Sequence, residues 1–126
     1  MPFDGSNFDS PVTNPVVTNG NPVTELLEQA WAMIDKPQKW TRGQPESVDG
    51  RRQCSLSALQ TATVRGPNCS FPHHVIALVT LNRAMDMPLA AHGPALASGI
   101  ASFNDRHSHA EVAAAWQRAI AMSRGS

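Results

Sequence analysis

Tyrosine is absent from this chain, and the remaining aromatics are three tryptophans and four phenylalanines. Each indole therefore carries a large share of any apolar packing, since one can bury on the order of 150–250 Å². Neither sign of charge is in excess: Lys plus Arg number 10, Asp plus Glu 10, and the net is zero. Such a chain has no broad field to gather nucleic acid or an anionic membrane, which argues against both partners. It lacks any run of about 18 apolar residues, the length that spans a bilayer. Its opening Met1-Pro2-Phe3-Asp4-Gly5 has no basic segment and no apolar one. A signal peptide is therefore not expected, and the expected location is the cytoplasm.

Cysteine is scarce too: Cys54 and Cys69 only. In a reducing interior two thiols are expected to stay unlinked. There is no CxxC, no HExxH, no phosphate-binding glycine loop and no pair of catalytic carboxylates. Cys54, Cys69, His74 and His107 have the atoms for a tetrahedral zinc site but no chelating spacing on one helix face. No metal and no cofactor is expected.

What is present suits one folded domain. Of the 126 residues, 41% are hydrophobic, enough for a core at this length. Residues 1–21 read as a disordered tail: Pro2, Pro11 and Pro15 stand among Asn, Ser, Thr and Gly, with Asp4 and Asp9 but no basic residue. Residues 22–123 read as a single helical domain. Asn21 followed by Pro22 is a helix start. Val23, Leu26, Leu27, Ala30, Trp31 and Ile34 then recur on one helical face. Pro37 stops that helix, with Asp35 or Lys36 as its last residues.

A long polar loop over residues 37–53 follows. Its Asp49-Gly50 step suits a tight hairpin turn, which would add two very short strands. Residues 54–63 read as a short helix with Leu56 and Leu59 inward. Ser70 and Pro72 mark another start, and residues 72–85 read as a buried helix, although Val75-Ile76-Ala77-Leu78-Val79 would also suit a buried strand. After a loop at 86–94, Leu96, Ile100 and Phe103 share a face, and Gly99 among them suggests a close helix crossing. Ser108-His109-Ala110-Glu111 is a capping box. It opens a helix whose stripe is Val112, Ala115, Trp116, Ala119 and Ile120. The expected architecture is an all-α compact bundle of five helices, with Trp31 and Trp116 as core anchors.

The order Trp40-x-x-Gly43, then Cys54-x-Leu56-x-Ala58-Leu59, then Ile100-Ala101-x-Phe103-Asn104-Asp105, then a capped helix ending Arg118-Ala119-Ile120, resembles a family of small bacterial proteins defined only as a domain of unknown function. The resemblance runs over about residues 24–122. Ser57 stands where the family pattern has glycine. The resemblance implies a cytoplasmic helical domain and no particular activity.

Four places carry candidate chemistry. Cys54 heads a helix after Arg51 and Arg52; a helix N-terminus and nearby guanidinium groups both favour thiolate, whereas the favoured reading is a small buried apolar residue, where cysteine is often found. It is the one catalytic candidate, with His107 or Asp105 assisting. Trp40 and Arg42, in a polar loop, have the composition of an interface, although the favoured reading of Trp40 alone is that it folds back to cap the helical core. Lys39, Arg42, Arg51 and Arg52 could meet phosphates beside a stacking Trp40. Asn104-Asp105 reads as punctuation between helices, with Asn104 ending one and Asp105 pairing locally or with the Trp40–Arg52 loop. The favoured expectation is a binding or regulatory module that acts through protein contacts at Trp40, Arg42, Arg51, Arg52 and Asp105; a homo-oligomer is compatible with this. The alternatives are a Cys54-dependent enzyme or redox sensor, and a nucleic-acid binder using the 39–52 loop.

Overall fold

Asn21 places its side-chain oxygen 3.2 Å from the Thr24 amide and so caps the first helix. From there the computed structural model describes residues 21–66, 70–87 and 93–125. The expected tail, except Asn21, lies outside the described residues, as do Cys69 and residues 88–92 of the expected loop. Among the described residues run five α-helices: α1 (Pro22–Ala32), α2 (Ser55–Arg65), α3 (Phe71–Ala84), α4 (Gly93–Arg106) and α5 (His109–Arg124). The described residues hold no strand, only isolated bridges from Gln53 to Trp40 and to Glu46. The fold is an all-α bundle. No described helix is long and apolar enough to cross a membrane.

Helix α1 ends at Ala32, short of Asp35-Lys36. Its last turn tightens, with the Met33 amide on the Ala30 carbonyl at 3.1 Å and the Ile34 amide on the Trp31 carbonyl at 2.9 Å. The open Ala32 carbonyl accepts from Lys39 Nζ at 3.0 Å, and the same ammonium pairs with Asp35. The helix end is thus satisfied before Pro37 is reached.

Helix α1 packs on α2, α3 and α5; α3 packs on α4 and α5; α2 packs on α4. Leu26, Leu27, Leu59, Leu81, Ile100, Val112 and Trp116 form the closed centre. The α5 stripe is buried throughout, and both halves of the capping box form. Three expectations need correcting. Leu56 is only half-buried: it packs against the core and also lines an open cleft. The 72–85 segment is a helix, but one with an outer face: Ile76 is 50% exposed while Ala77, Leu78 and Leu81 point inward. Trp31 is not a sealed anchor. It stands half-buried at the rim, stacked on Trp116 at 6.0 Å and on the His109 ring at 5.8 Å.

Gly99 is the close crossing. A Cβ there would stand 2.3 Å from Asn82 Oδ1 on α3. Asn82 is fully buried, and its amide nitrogen donates to the Leu78 and Leu96 carbonyls at 2.8 and 2.9 Å. Its oxygen, without a conventional donor, therefore faces the glycine, whose lack of a side chain admits it.

Candidate functional site

The long loop closes upon itself before it meets the helices. The Thr41 amide donates to the Gln53 carbonyl at 3.0 Å, the Gln53 amide to Lys39 at 2.9 Å, and the Cys54 amide to Pro45 at 2.9 Å. Gly43 and Gly50 take φ of +82° and +73°, a left-handed backbone that glycine adopts without strain. The Asp49-Gly50 turn forms, with the Asp49 carboxylate accepting from the Ser47 hydroxyl and the Arg51 amide. These two bonds, Ser47 first, hold that carboxyl below its usual range.

Asn104 ties this loop to the bundle. Its Oδ1 accepts from Trp40 Nε1 at 2.7 Å, from the Ser55 hydroxyl at 2.8 Å and from the Ser55 amide at 3.0 Å. Its Nδ2 donates to the Thr41 carbonyl at 3.0 Å. The Ser55 oxygen in turn accepts from Trp116 Nε1 at 3.0 Å. One buried amide thus connects the loop, the start of α2, α4 and the core indole of α5. This corrects the reading of Asn104 as a helix terminator. It lies inside α4, buried, because its side chain has better partners across the fold than the local backbone offers.

The neighbouring Asp105 is exposed at the surface of the same node. Its Oδ1 accepts from the Gly43 amide at 2.7 Å; pairing with the loop was among its expected roles. Arg42 donates to the His107 carbonyl at 3.0 Å, and its guanidinium sits 5.7 Å from the Trp40 ring centroid. Trp40 itself is half-buried, with its edge contact to His109 at 5.3 Å.

Between the loop, α2 and α4 lies a cleft of about 220 Å³. Cys54, Leu56, Ala101 and Pro45 supply apolar wall; Ser57, Gln44, Gln60 and Asp105 supply polar rim. Cys54 is 4% exposed and caps α2, its Sγ accepting from the Ser57 amide at 3.4 Å. Burial pushes its thiol upward; the Ser57 and Leu56 amides oppose this, and the Asp105 charge adds to it. This is the buried cysteine of the favoured reading; the depression of the reactive-thiol alternative does not occur, since Arg51 and Arg52 are exposed while the sulfur is enclosed.

The candidates therefore divide. Trp40, Arg42, Cys54 and Asp105 converge around Asn104. Arg51 and Arg52 do not; they flank the Asp49-Gly50 turn. His107 stacks on Phe103 at 3.8 Å and donates from Nδ1 to the Phe103 carbonyl at 2.8 Å, so it is engaged on α4 and does not line the cleft. Among the described residues no three His, Cys, Asp or Glu side chains come together as a metal site.

These motif residues form one connected unit, and they lie within residues 18–122, which match a family of unknown function, DUF6197. The chain belongs to the DUF6197 family. No curated protein and no solved structure matches it. In this DUF6197 chain, Ser55, Ser57 and Gln60 are site residues that sequence reasoning did not single out, and Asn104 was read only as helix punctuation. The Phe-Asn-Asp step was the available signal for Asn104. Ser55 gave none, because its partners are distant in sequence.

Proposed function

We propose that this chain is a small cytoplasmic binding module that acts through protein contacts, with the Cys54–Asp105 cleft as the pocket for one anchoring side chain. The observation that carries this reading is the cleft framed by the Asn104 node. Several hydrogen bonds hold its walls, which preorganises the pocket. At about 220 Å³ it falls below the roughly 300–1,000 Å³ usual for small-molecule sites. That size suits a single buried anchor. An apolar wall with a carboxylate at its rim suits a basic side chain, whose stem packs on Leu56 and Ala101 while its head stays at the rim beside Asp105. The unbridged thiol suits a reducing compartment.

The alternatives draw less support. A thiol enclosed and held protonated is a poor nucleophile. Trp40 is half-buried with the Arg42 guanidinium over its ring, which leaves less face for a base, and Lys39 is engaged by Asp35.

The test is a photocrosslinking amino acid placed at Gln44, an exposed rim position. Irradiation in cells should yield a defined protein adduct that fades in Asp105→Asn, which removes the charge but keeps an acceptor for Gly43. An adduct indifferent to Asp105→Asn, or turnover of a metabolite by the isolated protein, contradicts the reading.

A further inference from the structure

A second concavity lies beyond Gln60, where α2 ends and α3 begins. It measures about 590 Å³ and is lined by Gln60, Thr63, Val64, Ser70, Phe71 and His74. Val64 and Phe71 are each 78% exposed. Two large apolar side chains held in water at the mouth of one groove mark a recognition surface more than a packing accident.

Its polar group is defined by a hydrogen-bond chain. The Thr63 hydroxyl donates to the Leu59 carbonyl at 2.8 Å. A hydroxyl has one proton, so at the 2.8 Å contact between Thr63 Oγ1 and His74 Nδ1 the ring nitrogen must be the donor. His74 is thus the Nδ1–H tautomer, and its Nε2 carries a lone pair that meets no donor among the described residues. Burial holds this imidazole below its usual range, so it stays neutral at neutral pH. Among the described residues that line the groove there is no carboxylate, ammonium or guanidinium. A charged ligand would find no counterion there; a neutral donor would find an acceptor between apolar walls.

We propose that this groove binds a small neutral aromatic molecule carrying one hydroxyl or N–H donor, with its ring against Phe71 and Val64 and its donor on His74 Nε2. The volume lies inside the range of small-molecule sites. The inference is independent of the Cys54–Asp105 cleft.

The test is an amide-resolved NMR titration of the full chain with p-cresol and with 4-methylanisole, which has the same ring but no donor. Saturable shifts are expected at Val64, Phe71 and His74. The phenol should bind about threefold to tenfold tighter, the value of one neutral hydrogen bond. His74→Phe should erase that preference, and Phe71→Ala should weaken both ligands. Long-range correlations should find Nε2 unprotonated and moved by p-cresol. Equal affinities in the native protein, absence of saturable shifts at these residues, or a proton on Nε2 overturns the proposal. So do concentration-dependent shifts there without any probe, which would assign the groove to a second copy of the chain.

Discussion

The Trp40 indole donates to Asn104 across 64 positions of sequence, at 2.7 Å. That bond joins a polar loop to the interior of a helix, and it places Gly43 and Asp105 side by side at the surface.

Asn104→Ala should be severely destabilising. It strands both Ser55 donors in a buried setting, and the Trp40 N–H and the Thr41 carbonyl in a half-buried one. At about 1–3 kcal/mol for each unsatisfied group, a loss of roughly 3–5 kcal/mol is expected. Urea denaturation followed by tryptophan fluorescence measures it. A loss under about 1 kcal/mol would mean that the node is not what holds the loop.

Gly99→Ala and Asn82→Ala should be coupled. The new methyl would collide with Asn82 Oδ1, and overpacking of this kind costs about 1–3 kcal/mol. With Asn82 truncated, the methyl has room. The double variant should therefore lose less than the sum of the singles, by about 0.5–3 kcal/mol. Additive losses in thermal melts would show that the two residues do not meet.

Cys54 should resist alkylation. Its native thiol titrates above its unfolded value, so the buried protonated form incurs no penalty below the ordinary thiol range. Above that range the unfolded chain releases the proton first, and stability falls as pH rises toward the native value. Peptide mapping after iodoacetamide treatment should find Cys54 almost unmodified at neutral pH. Cys54→Ser should flatten the alkaline decline in stability. Rapid native labelling at pH 7 would instead favour a reactive thiol.

The α5 capping box should make stability depend on acid. The Ser108 amide and then its hydroxyl hold the Glu111 carboxyl below its usual range. Its contribution is complete above the ordinary carboxylate pKa and is lost as pH falls through the native value. Glu111→Gln should remove this part of the acid slope in pH-dependent melts. Ser108→Ala should cost about 1 kcal/mol at neutral pH.

The helices were legible because their signals are local. Asn21, Ser70 and Ser108 cap the helices that they precede, and the Val112–Ile120 stripe closes as its spacing requires. The site was less legible because its bonds are distant. Asn104 looked like punctuation since Asn-Asp often ends helices, and nothing nearby announced Trp40 or Ser55 as partners. Trp40 has polar neighbours that suggest an interface, but the favoured reading had it fold back on the helical core, and it does, with its one donor turned inward. For Cys54 the buried reading holds; the activated one, suggested by Arg51 and Arg52 before it, does not, because adjacency in sequence did not become adjacency of side chains. Trp31 sat centrally in its stripe, but α1 ends one residue later and leaves the indole at the rim.

Hydrogen exchange of the three indole N–H protons, followed by NMR in the native protein, tests the node most directly. Trp40 and Trp116, which donate to Asn104 and Ser55, should be protected, and Trp31 should exchange fastest. Asn104→Ala should release Trp40 in particular. A Trp40 indole that exchanges as freely as Trp31 in the unaltered chain would contradict the wiring on which the cleft depends.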